Sequence, residues 1–265
     1  MNYSNALIVK LGGSVITDKR KKFSIRRRTV ERLAKELATS KVPLIVVHGG
    51  GSFGHPVASE YEINKGYKRK RQLIGFSLTH RAMEKLNSFI IDSLHKAGLP
   101  AIAFQPSACF TVVNGRIKSA MLEPLRKMLD LGLIPVLYGD AVPDLAKGMC
   151  ILSGDQIVAF LARELGVKRV ILGVDIDGVY TSDPTSNKNA RPIPVISPKN
   201  WRGVSCPQRG VMDVTGGIRS KVDELLALAE HGAEAEIINA SRPGILKRAI
   251  AGEKGLGTRI VGDSL

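Results

Sequence analysis

Three stretches of this chain couple a run of buried-type β residues to a glycine-bearing loop, and that coupling constrains the fold more than any other feature. Residues 6–11 (ALIVKL) run into Gly12-Gly13-Ser14, and residues 43–48 (PLIVVH) into Gly49-Gly50-Gly51-Ser52-Phe53-Gly54-His55. Residues 168–174 (KRVILGV) run into Asp175-Ile176-Asp177-Gly178-Val179-Tyr180. Short, continuous apolar runs of this kind read as strands covered on both faces. Between them the period changes. Val30, Leu33, Ala34, Leu37 and Ala38 share one helical face, so residues 25–39 are predicted to be helical. Residues 75–97, 155–165 and 218–229 read the same way. Alternating β and α segments predict an α/β protein, an α-β-α sandwich with a mainly parallel central sheet.

Further strands are expected at residues 101–104, 134–138, 236–239 and 258–261. Asn114-Gly115 lies between FTVV and RIK, the strongest hairpin signal in the chain, and a second hairpin is expected near Lys147-Gly148. Residues 181–210, rich in Pro, Ser, Asn and Arg, read as a long loop.

Charge adds a second constraint. The 265 residues carry 39 Lys and Arg against 24 Asp and Glu, a net of +15, and residues 1–132 alone hold +14. An anionic partner is therefore expected. No apolar run approaches the roughly 20 residues that span a bilayer. The apolar run in residues 1–13 stops at Lys10 with nothing charged before it, unlike a signal peptide. Cys109, Cys150 and Cys206 are widely spaced and odd in number, which suggests free thiols rather than a disulfide or zinc framework. A cytoplasmic location is expected.

Glycine at a strand end lets backbone amides approach an anion with no side chain in the way. Three such loops, two of them beside Lys or His, point to phosphate. There is no G-x-x-x-x-G-K-[ST] loop. Gly49, Gly51 and Gly54 satisfy G-x-G-x-x-G, but no following strand ends in the acidic residue that a dinucleotide site needs about 20 residues on.

Five motifs then appear in order: KLGGS from Lys10, HGGGSFGH from His48, SGDQ from Ser153, DIDGVYTSDP from Asp175 and TGGIRSK from Thr215. Together they resemble the amino acid kinase superfamily, from Lys10 to about Arg259. The second histidine, His55, looks like that of the isopentenyl phosphate kinases, which pass the γ-phosphate of ATP to an isoprenoid monophosphate. Fosfomycin kinases share a similar stretch. The resemblance implies two lobes, residues 1–168 for the acceptor and dimerisation and residues 169–265 for ATP. It implies that Lys10 contacts the transferring phosphoryl group and that Lys19 sits near the β- and γ-phosphates. Gly12, Gly13, Gly50 and Gly51 are to offer amides to phosphoryl oxygens, with Gly54, Ser153 and Gly154 also in the substrate site. His55 is to donate to the acceptor phosphate, and Asp155 to orient the catalytic lysines. Asp175, Gly178, Tyr180, Asp183, Pro184, Gly216 and Gly217 are to line the nucleotide pocket, and Lys221 to reach the ATP phosphates. Mg2+ is expected to travel with ATP, and no protein ligand is assigned to it. The partners implied are isopentenyl phosphate, ATP and a second copy of the chain, with no nucleic acid and no membrane.

Each residue has a plainer reading. Lys19 beside Arg20, Lys21 and Lys22 reads alone as a solvated lysine, His48 as a core histidine, His55 as a helix-start residue, Asp155 as a helix-dipole partner and Asp183-Pro184 as a turn. The apolar wall for an isoprenoid chain is expected from Phe76, Leu78, Met83 and Phe89, which at helical spacing also read as core. A phosphonate kinase is the alternative on the same fold. A nucleic-acid-binding protein is the alternative from another class, disfavoured because only Phe23 and Tyr67 lie near the basic runs. An NADP-dependent oxidoreductase rests on the G-x-G-x-x-G alone.

Overall fold

The computed structural model describes residues 3–184, 186–201 and 217–263. Its strands are β1 (Leu7–Leu11), β2 (Leu44–His48), β3 (Ala101–Ala103), β4 (Phe110–Val113), β5 (Arg116–Ala120), β6 (Ile134–Tyr138), β7 (Asp140–Asp144), β8 (Gly148–Leu152), β9 (Arg169–Val174), β10 (Val179–Tyr180), β11 (Pro192–Ile193), β12 (Val195–Ile196), β13 (Glu234–Asn239) and β14 (Gly257–Ile260). Its helices are α1 (Gly13–Ile16), α2 (Arg27–Leu37), α3 (Gly51–Glu60), α4 (Arg71–Lys96), α5 (Pro106–Cys109), α6 (Glu123–Asp130), α7 (Gly154–Leu165), α8 (Pro198–Trp201), α9 (Gly217–Ala229) and α10 (Ile245–Ile250).

Eight strands form one sheet in the order β12-β14-β13-β9-β1-β2-β6-β3. Every neighbouring pair is parallel except β13 and β14. β1 sits in the middle. The chain first winds away from it through β2, β6 and β3, then restarts on its other side with β9 and β13. Loops leaving the carboxyl ends of strands that diverge like this open a crevice, the usual ligand position in open α/β sheets.

The strands are apolar on both faces because both are covered. Ile8, Ile45, Val170 and Leu172 pack with Leu125, Ile157, Leu161 and Val222 from α6, α7 and α9. Leu7, Val9, Val46 and Ile171 pack with Leu33, Leu86, Ile90 and Leu246 from α2, α4 and α10. A second sheet, β5-β4-β7-β8, branches off where the chain leaves β6 at Gly139. Its β4–β5 hairpin turns at Asn114 and Gly115, both at positive φ (53° and 77°), as a two-residue primed turn requires.

The long loop expected over residues 181–210 is in part structured. β11, β12 and α8 lie within it, and Trp201 is buried in the core. Two-residue strands carry no periodic signal, so the sequence could not announce them. Residues 202–216, with Cys206, lie outside the described residues. Cys109 and Cys150 are free thiols. The helix expected from residue 75 begins at Arg71, because Gly75 packs directly on Tyr61 inside the helix instead of breaking it.

Asp144 holds the second sheet together. Its carboxylate accepts from the amides of Asn114, Gly115, Ala146 and Lys147 at 2.6–3.0 Å, serving both hairpin turns at once. Burial pushes its pKa up, but the four amides outweigh this and bring it down to about 2. Asp144→Ala should therefore lower unfolding stability in urea by about 3 kcal/mol at neutral pH. The charged form is the one the fold favours. Its contribution should be complete above the unfolded carboxyl pKa and fade as pH falls through about 2, so parent and variant curves should converge in strong acid.

Candidate active site

The loops after β1 and β2 touch backbone to backbone. A Cβ on Gly49 would lie 2.8 Å from the Gly13 nitrogen. Gly51 has φ of 47°, and a Cβ there would overlap Thr17 Oγ1 and sit 2.6 Å from the Gly13 carbonyl. Glycine at these places is a packing requirement before it is a ligand requirement. The close approach aligns the start of α3, at Gly50 and Gly51, with the carboxyl end of β1.

Lys10 lies inside β1, paired with Val47 and Leu172, and is 4% exposed. A charge there needs a partner. α7 supplies it. Ser153 caps that helix, its hydroxyl accepting from the Gln156 amide at 3.2 Å, and this sets Asp155 in the first turn facing β1. Lys10 Nζ lies 2.6 Å from Asp155 Oδ1, and Lys221 Nζ from α9 lies 3.4 Å from Asp155 Oδ2. Burial works to raise the Asp155 pKa, but the two ammonium groups prevail and hold it below the usual carboxylate range. One carboxylate thus holds two lysines, from β1 and α9, at one place.

These groups face an open cleft. Lys10, Lys19, His55, Asp155, Lys221, Gly12, Gly13, Gly50, Gly51, Gly54, Ser153 and Gly154 all line it. Lys19 reaches it from an exposed loop, and His55 from a half-buried position on α3. One expectation changes in detail. The Gly12 amide donates to the Gly173 carbonyl at 2.8 Å, so it is committed to the fold and Gly12 serves the cleft by close approach, not as a donor. The amides of Gly13, Gly50 and Gly51 donate to no backbone carbonyl among the described residues.

Asp175, Gly178, Tyr180, Asp183, Pro184 and Gly217, expected to line the nucleotide pocket, are not in the wall of this cleft. Asp175 accepts from Ser14 Oγ at 2.9 Å, and Ser14 does line the cleft. Gly178 and Tyr180 enter the β10–β11 hairpin, where the Val179 amide donates to Thr258 Oγ1 at 2.8 Å. Asp183 and Pro184 follow in the connecting loop. Gly217 opens α9, and its carbonyl accepts from Lys221 Nζ at 3.3 Å. Gly216 lies outside the described residues.

His48 is a core residue. It is fully buried, bonded to Asn87 Oδ1 and the Gly49 carbonyl at 3.2 Å each, and burial lowers its pKa to about 4. Of the four residues expected to wall an isoprenoid pocket, Met83 lines the cleft. Phe76 packs in a small cluster with Ala58, Ile63, Ala141 and Met149, Leu78 is exposed, and Phe89 packs on the far core beneath Arg27. The apolar wall is instead Ala58, Met83, Ile151 and Leu152, with Thr79 beside it. Asp140 also lines the cleft and was not singled out in the sequence. Among the described residues no cluster of three or more His, Cys, Asp or Glu side chains could hold a metal ion.

Comparison with known proteins agrees with this arrangement. The amino acid kinase family model matches residues 5–239. An isopentenyl phosphate kinase from Methanothermobacter thermautotrophicus is 44% identical over 264 residues, covering 97% of this chain and 99% of that one. An X-ray structure of isopentenyl phosphate kinase superposes with a TM-score of 0.86 at 42% identity, covering 97% of this chain and 100% of the other. The product complex of the T. acidophilum isopentenyl phosphate kinase superposes with a TM-score of 0.80 at 31% identity, over 96% and 99% of the two chains. The glycine loops, the shared sheet and these likenesses over nearly full length agree, and the chain belongs to the amino acid kinase family, among its isopentenyl phosphate kinases.

Proposed function

We propose that this chain transfers the γ-phosphoryl group of ATP to isopentenyl phosphate, giving isopentenyl diphosphate and ADP. The observation that carries the reading is the make-up of one cleft. A lysine pair locked by Asp155, with His55 and Lys19, stands at a polar end, and Ala58, Met83, Ile151 and Leu152 form an apolar wall. A phosphate with a hydrocarbon tail matches both ends. A small phosphonate such as fosfomycin leaves the wall unused, and the relatives' names favour the isoprenoid reading. A nucleic-acid surface accounts for neither the cleft nor its wall.

The acceptor is already an anion, so its oxygen needs no general base. It attacks the γ-phosphorus in line as the bond to the β-phosphate oxygen breaks, and ADP leaves with that electron pair. The barrier lies in bringing anions together, and catalysis is positioning and charge neutralisation. In this reading Lys10 follows the transferring group, Lys221 and Lys19 hold the ATP phosphates, and His55 donates to the acceptor phosphate. The amides at the start of α3 add donors where the helix dipole favours negative charge. Mg2+ bound with ATP would add further neutralisation on the nucleotide phosphates. Residues 1–168 take the acceptor, and residues 169–265, with Asp175, Gly178, Tyr180, Asp183, Pro184, Gly216 and Gly217, take the nucleotide. A homodimer belongs to the same proposal. Exposed Leu73, Ile74 and Leu78 on α4 support it, and light scattering should give twice the chain mass.

A coupled ADP-release assay across isopentenyl phosphate, dimethylallyl phosphate, fosfomycin and acetylglutamate tests the substrate. Isopentenyl phosphate should give the highest kcat/KM, and a clear preference for fosfomycin would reassign the cleft. His55→Ala should cost about 100-fold in kcat/KM for the acceptor with an unchanged circular dichroism spectrum. Lys10→Ala should lower kcat by about 100-fold or more, because its charge matters most in the transition state; a change confined to KM would contradict that role.

A further inference from the structure

Asp140 poses a problem for an anion-binding cleft. Its carboxylate is 1% exposed, at the corner between β6 and β7, and it lines the cleft in which the acceptor is proposed to sit. A bare negative charge there repels the substrate. The fold answers with His80 on α4, whose Nδ1 lies 3.0 Å from both Asp140 oxygens, while the Ala141 amide donates to Oδ1 at 2.8 Å. His80 directly follows Thr79 and lies one turn before Met83 and Glu84, and Thr79 and Met83 wall the same cleft.

We propose that His80 and Asp140 form a positioning pair that sets acceptor affinity: protonated His80 cancels the Asp140 charge and pins the α4 wall to the β6–β7 corner. The proposal rests on the substrate reading above.

The charged groups around His80 favour its protonated form. The hydrogen bond that His80 donates to Asp140 raises its pKa most, burial opposes, and the charges of Asp140 and of Glu84, whose Oε1 is 3.6 Å from Nε2, add to the rise. Arg81 pulls the other way and is itself paired with Glu84 at 3.0 Å. From the elements packed on α4, α3 brings His55 at the cleft and Glu60, which is tied to Lys22. The turn before α4 brings Glu62, paired with Lys65, and α2 brings Arg27 over Phe89 further along the helix. Near Asp140, burial pushes the Cys109 thiol up to about 12 and raises the Tyr138 phenol, so both stay neutral. With His80 protonated the pair is neutral, and with His80 neutral it carries −1. An anion in the cleft binds the first state better, by about fivefold for one charge at this range in partly solvated surroundings. Linkage requires the converse, that the acceptor raise the His80 pKa by the same factor.

The test is an NMR titration of the histidine rings in the whole protein, with and without saturating isopentenyl phosphate, His80→Gln identifying the signal. The expected result is an upward move of the His80 pKa by about 0.7 unit, the equivalent of fivefold. No movement, or a downward one, while the acceptor binds overturns this proposal alone. Absence of acceptor binding overturns both it and the substrate reading. Kinetics give a second readout that a merely structural contact would not produce. His80→Gln should raise the acceptor KM about fivefold with the ATP KM unchanged, and adding Asp140→Asn should restore it. An equal rise in both KM values, or no rescue, contradicts the pair.

Discussion

One buried carboxylate organises this molecule. Asp155 holds Lys10, from the strand at the centre of the sheet, and Lys221, from a helix more than sixty residues further along the chain. Two ammonium groups this close repel each other, and a buried lysine without a partner would lose its proton or move out. With Asp155 between them, both keep their place at the mouth of the same crevice. The triad also ties the two sides of the sheet together, since β1 begins one side and α9 packs over the other. It is a structural contact that sets two lysines at the wall of an anion-binding cleft.

The strands, the main helices and the glycine loops were legible in the sequence because each is local. Apolar runs, helical periods and Asn114-Gly115 need no distant partner to be read. The site was legible where residue type was unusual for its place, as with Lys10 inside an apolar run. It was illegible where meaning comes from the partner. Nothing near His80 announces Asp140, sixty residues away, and the apolar wall draws one residue each from α3 and α4 and two from β8. Periodicity alone did not separate Met83, which faces the cleft, from Phe89, which faces the core. The glycine run misleads in a different way. Gly13, Gly49 and Gly51 are needed to let two loops touch, and the Gly12 amide is bonded to Gly173, so glycine count overstated the number of free donors.

The concentration of positive charge in the first half of the chain is only partly used by the cleft. Arg20 pairs with Asp18, Lys22 with Glu60, and Arg71 lies over Tyr61. Exposed pairs of this kind contribute little stability.

The most direct test of the account is a crystal structure with isopentenyl phosphate and a non-hydrolysable ATP analogue. The acceptor phosphate should lie within hydrogen-bonding distance of His55, its tail against Met83 and Ile151, with Lys10 still on Asp155 and between the two ligands. An acceptor bound away from His55, or a Lys10 that has left Asp155 without contacting phosphate, would contradict it.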